Sequence, residues 1–173
     1  KITNLDNEVS SAALSTRLAD IYRPLLLDGS VTITVNGRKI EPLDIRYDET
    51  IPNMGPQLMR VQTRFGDWIV LKIGISAPGQ RIKPGIRCYY RGRLIEDEKF
   101  FGHPTPAQLP QSSRLVGEAH LDSVPVTPNK ASFIESSVEW QNVSTRIHDV
   151  LNPWFEKLSK LKIEQRSNVE NWE

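Results

Sequence analysis

Between Val31 and Leu121 the chain reads as a succession of short strands broken by turns, with a helical pattern at either end. This order points to an α+β domain with a mixed, mainly antiparallel sheet and helices packed on one face. The strand signals are specific. Val31, Ile33 and Val35 alternate with Thr32 and Thr34, and Asn36-Gly37 follows at once. That dipeptide tolerates positive φ at both central positions of a type I′ turn, so a hairpin is expected, returning through residues 38 to 40. Leu58–Arg64 and Trp68–Ile75 read as two more strands around a Phe65-Gly66-Asp67 turn. The apolar run from Ile69 to Ile75 is expected at the centre of the sheet. Ile86–Tyr90, a turn at Arg91-Gly92, then Arg93 to Ile95, and finally Leu115–Leu121 complete the set. Glu96, Asp97 and Glu98 read as a solvated turn, and the proline-rich stretch from Gly102 to Gln111 as loop.

The flanking helices have start and stop signals. Leu14, Leu18, Ile21, Tyr22 and Leu25 recur at helical spacing, Ser10 or Ser11 can cap the start, and Pro24 and Asp28-Gly29 limit the end. At the other end, Ser136 and Glu139 have capping-box spacing. Val143, Ile147, Val150, Leu151, Trp154, Leu158 and Leu161 follow as one apolar stripe. Pro153 is expected to kink this helix or divide it near Asp149.

The chain has 173 residues, 38% of them hydrophobic, which suits one domain over residues 1 to 163 with a polar tail over 164 to 173. It opens on Lys1, and the earliest methionine is Met54. Processing would account for that start, but a piece of a larger intracellular protein, cytoplasmic or nuclear, is the favoured expectation. No apolar run approaches a membrane span, so no membrane is expected as a partner. The net charge of +1 gives no strong global field toward nucleic acid or anionic surfaces. Cys88 is the only cysteine, which excludes an intrachain disulfide and a thiolate metal cluster.

Chemistry-bearing motifs are few. His103, His120 and His148 match no zinc spacing, and no metal site is expected. Each reads as structural or surface. There is no Gly-x-Ser-x-Gly elbow and no Gly-Lys-Ser/Thr phosphate loop. Arg81, Lys83, Arg87, Arg91 and Arg93 cluster around Tyr89 and Tyr90, a mixture that suits nucleic-acid or protein binding. Lys130 stands apart, in a proline-stiffened loop between a strand and a capped helix.

Three pieces, in order, carry a likeness. They are Leu18–Tyr22 leading into Ile33–Pro42, then Tyr90-Arg91-Gly92-Arg93-Leu94-Ile95, then Leu115-Val116-Gly117-Glu118 with Pro128-Asn129-Lys130-Ala131-Ser132-Phe133. Over about residues 10 to 160 this resembles the second, transducer domain of the GHKL ATPases, closest to the Microrchidia (MORC) branch and its bacterial relatives. The resemblance implies a fold of the ribosomal-protein-S5-domain-2 type, preceded by an ATP-binding domain in the same chain. It implies that Lys130 reaches the γ-phosphate of ATP, held with Mg in that domain, and that Asn129 helps shape the loop. It further implies a homodimer and a DNA, chromatin or protein client. The family's general-base glutamate, magnesium-binding asparagine and glycine-rich lid belong to the preceding domain, and nothing here matches them. By that likeness the chain alone neither holds ATP tightly nor hydrolyses it.

Overall fold

A computed structural model describes residues 10–161. Ser10 caps α1 (Ser11–Ile21) by accepting the Ala13 N–H, and α2 (Arg23–Leu27) restarts directly with Pro24 in its first turn. Proline lacks the N–H that a first turn leaves unpaired anyway, so Pro24 ends one helix by opening the next. The hairpin β1 (Thr34–Val35) and β2 (Arg38–Lys39) is shorter than its alternation suggests. Its turn is as expected, with φ 51° at Asn36 and 77° at Gly37.

The main sheet contains β3 (Gln57–Gln62), β4 (Trp68–Ile75), β5 (Gly85–Tyr90), β6 (Arg93–Lys99) and β7 (Leu115–His120), in the order β3-β4-β7-β5-β6. The β5–β7 pair is parallel and the others are antiparallel. The fold is therefore α+β with a mixed, mainly antiparallel sheet. The central strand is β7, not the more apolar β4, because β7 joins the β3–β4 hairpin to the β5–β6 hairpin. Residues Glu96 to Glu98 lie within β6 and are not a turn.

Strand alternation sorts the sheet into two faces. Ile69, Leu71, Ile73, Ile75, Ile86, Cys88, Leu115 and Ala119 form the core under α3 (Val138–Leu158). Trp140, Val143, Ile147, Leu151, Trp154, Phe155 and Leu158 complete it from the helix side. The cap of α3 is Ser137, whose hydroxyl accepts the Trp140 N–H, one residue later than the Ser136 spacing indicates. Nor does Pro153 divide the helix, which runs unbroken through it. Its buried stripe continues past Pro153 to Trp154, Phe155 and Leu158, and packing outweighs one missing backbone hydrogen bond.

The helices do not share a face. Glu118 and Arg87 point away from α3, since their strand neighbours Ala119 and Cys88 point toward it. From that second face Arg23 of α2 pairs with Glu118, and Asp20 of α1 pairs with Arg87 at 3.0 Å. The apolar stripe that marks α1 in the sequence is not a core face: Leu14 is exposed, Leu18 and Ile21 are half-buried, and Ala19 is the only buried residue of α1. The polar tail over 164 to 173 lies outside the described residues, as does the end of the stretch read as a domain.

Gly117 sits where three strands meet. It is in register with Ile73 of β4 and Ile86 of β5. A Cβ there would lie 2.5 Å from the Lys72 carbonyl oxygen and 2.6 Å from Ile86 Cδ1. The carbonyl belongs to the sheet ladder and cannot yield. Gly117→Ala is expected to cost about 1–3 kcal/mol by overpacking, read as a lower denaturant midpoint with an unchanged slope. A midpoint equal to wild type would refute that crowding.

Candidate functional site

The segment from Leu121 to Ser137 leaves the central strand, turns back at Pro128-Asn129-Lys130, and delivers the chain to α3. Val126 and Phe133 bridge across its neck. The Thr127 N–H donates to the Ser132 carbonyl and the Ile134 N–H to the Pro125 carbonyl, each at 2.9 Å. Thr127 then organises the tip. Its hydroxyl donates to Asn129 Oδ1 at 2.8 Å and accepts the Ala131 and Ser132 N–H groups at 3.2 Å. Asn129 Oδ1 takes the Ala131 N–H as well. Short polar side chains that bond nearby backbone are what fix a turn of this kind. The Lys130 N–H closes the turn on the Thr127 carbonyl at 2.7 Å, with φ 54° at Lys130. Left-handed backbone costs a side-chain-bearing residue about 1–2 kcal/mol. The surrounding hydrogen bonds hold Lys130 in it regardless. Lys130 is exposed, and among the described residues it forms no ion pair.

The neck is tied to the core. Phe133 is buried and stacks on Trp140 at 5.3 Å between ring centroids. Its N–H donates to Glu96 Oε1 at 3.0 Å. The Lys99 ammonium joins Glu96 at 2.7 Å to Glu135 at 2.8 Å and lies 5.1 Å from the Trp140 ring. β6, the lysine loop and the first turn of α3 thus form one linked unit. Sequence spacing hides this. Residues three apart on a regular strand face opposite sides, but φ 56° at Glu98 breaks the alternation and brings Lys99 round to Glu96.

The Arg81–Arg93 cluster does not form one basic surface. Arg87 is 2% exposed and turned inward onto Asp20. Lys83 is paired with Asp97 and Glu98, and Arg93 Nε is buried without a partner. Arg81 and Arg91 remain exposed, Arg91 lying against the Tyr90 ring at 5.2 Å. A strand spreads consecutive side chains over two faces, so the clustering in sequence dissolves in space. Cys88 is buried, and loss of hydration drives its thiol far above the ordinary range, an inert position.

The histidines take structural places. His103 stacks between His148 at 4.2 Å and Phe155 at 4.3 Å. His103 Nε2 faces the His148 carbonyl at 3.0 Å, and His148 Nδ1 faces the Phe101 carbonyl at 2.8 Å. A carbonyl only accepts, so each of those ring nitrogens carries a proton. His120 stacks on Tyr89. Burial, first, lowers the His103 pKa below its ordinary value; the hydrogen bond to the His148 carbonyl opposes that, and the charge of the His148 ring adds to the lowering. The unfolded chain therefore takes up a proton near pH 6.5 before the folded chain does, and stability falls as pH drops below that value. The thermal midpoint is expected to decline between pH 7 and pH 5, and more shallowly in His103→Gln. Equal slopes in the two proteins would remove His103 as a source.

No family model matches the chain, and no curated protein matches it. Among the described residues no helix is long and apolar enough to cross a membrane, and no group of three His, Cys, Asp or Glu side chains is placed to hold a metal ion. What this loop presents is an exposed Lys130 ammonium on a backbone held by Thr127 and Asn129.

Proposed function

We propose that the chain is a transducer-type domain of a GHKL, MORC-like ATPase, and that Lys130 completes the ATP site of a domain preceding it. One observation carries this reading. Lys130 is exposed and has no carboxylate partner among the described residues, yet its backbone is fixed by Thr127 and Asn129 and its neck by Glu96. A solubilising lysine gains nothing from such a frame. A lysine that must meet a phosphate across a domain boundary does, because preset geometry lowers the cost of ordering on contact.

In this reading the bound nucleotide supplies the phosphoryl group, and the ligands for Mg belong to the preceding domain. The part played by this chain is electrostatic. The Lys130 ammonium stabilises charge on the transferring γ-phosphoryl oxygens. Because that contact exists only with the γ-phosphate, the linked unit of loop, β6 and α3 also reports whether the phosphate is present. A nucleotide-dependent closure of an intracellular dimer, acting on DNA or a protein client, follows from the same likeness. The test is ATP turnover in the longer chain carrying both domains. Lys130→Ala is expected to abolish most of it, and unchanged turnover would end the assignment.

The rival reading is a module that binds nucleic acid or protein through Arg81–Arg93. It has lost Arg87 to the interior and Lys83 to two carboxylates, and it rests on exposed Arg81 and Arg91 with half-buried Arg93.

A further inference from the structure

A groove of about 570 Å³ runs between the β3–β4 turn and α3, lined by Arg64, Phe65, Val138, Asn142, Arg146 and Asp149 and not by Lys130. Its walls are held. The Asn142 side chain accepts the Arg64 N–H at 3.0 Å, which pins the turn to the helix. The turn closes on itself through the Thr63 N–H and the Asp67 carbonyl at 2.8 Å. Thr63 is buried, and its hydroxyl accepts the Phe65 N–H at 3.2 Å. Phe65 is thereby presented outward and 57% exposed, opposite Val138 at 62%. An apolar side chain set rigidly into water contributes little to the fold. Together with Val138 it gives the groove an exposed apolar pair that a partner's side chain can cover.

Charge decides the occupant. Arg64 and Arg146 line the groove with Phe65, and neither forms an ion pair among the described residues. Asp149 lines it too and leaves a net positive balance. We infer that this groove receives an acidic peptide segment of a protein partner, with an apolar side chain between Phe65 and Val138 and carboxylates on the two guanidiniums. Arginine pairs with carboxylate through two parallel hydrogen bonds, which adds direction to the charge. A nucleic-acid strand also meets arginine and an aromatic ring. The aliphatic Val138 wall, which suits an apolar side chain between acidic ones, favours a peptide over a phosphate backbone.

The experiment pans a random linear peptide library on the 173-residue chain, and on an Arg64→Glu, Arg146→Glu, Phe65→Ala variant whose fold is confirmed by circular dichroism. Peptides selected by the wild type are expected to combine Asp or Glu with a large apolar residue. Their fluorescence-anisotropy affinity should fall at least tenfold in the variant and weaken with added salt. No enrichment over the variant, or enrichment without acidic residues, overturns the inference. So does a twenty-residue oligothymidylate that binds the wild type, loses binding in the variant, and displaces any selected peptide. None of these outcomes bears on Lys130.

Discussion

Glu118→Ala is expected to destabilise the domain by about 3–5 kcal/mol, the usual cost of breaking a buried ion pair from one side. Glu118 and Arg23 are each less than a tenth exposed. Glu118 stands on the central strand, in register with Lys72 on one side and Arg87 on the other. Arg23 adds a third cation from α2 and donates through Nε to the Leu43 carbonyl at 2.7 Å. Asp20 neutralises Arg87. Removing Glu118 therefore leaves Arg23 buried and unpaired, beside two more cations. The double variant Arg23→Leu, Glu118→Leu should cost clearly less than Glu118→Ala alone, because no orphaned charge remains. Denaturant titration of both measures the difference. A double variant at least as unstable as Glu118→Ala would show that the pair is not the source.

This pair also shows why part of the fold was hidden in the sequence. The turn at Asn36-Gly37 and the strands from β3 to β7 were legible because turn dipeptides and period-two alternation are local signals. The α3 stripe was legible for the same reason at period 3.6. The side of the sheet taken by α1 and α2 was not. They dock through Asp20–Arg87 and Arg23–Glu118, pairs 67 and 95 residues apart that no local pattern announces. The failed basic cluster has the same cause. Arg87 looked like surface because arginine is seldom buried, and it is its distant partner Asp20, with the Lys83 carbonyl, that makes its interior place tolerable. At the lysine loop, Pro128 and Asn129 gave the tip away, whereas Glu96 and Lys99, which hold its neck, depend on the irregular backbone at Glu98.

The second large effect concerns turnover. On the proposed reading, Lys130→Ala in a longer chain that carries an ATP-binding domain is expected to lower kcat by about 10²–10³-fold, the scale seen when one preorganised donor to a transition-state oxyanion is lost. Lys130→Arg keeps the charge but alters its shape and reach, and should recover only part of the rate. Thr127→Val tests the frame without touching the ammonium. It removes the hydroxyl that bonds Asn129, Ala131 and Ser132, and should lower kcat by less than Lys130→Ala does. If Lys130→Ala turns over normally, the reading fails however the frame variant behaves.

The contact itself is open to a more direct measurement. Amine-reactive labelling of the two-domain chain, followed residue by residue by mass spectrometry, reports the accessibility of each lysine. With a non-hydrolysable ATP analogue, Lys130 should become protected, while with ADP it should label as fast as in the nucleotide-free protein. Equal labelling of Lys130 in all three states, under conditions where both nucleotides bind, would contradict the claim that this lysine meets the γ-phosphate.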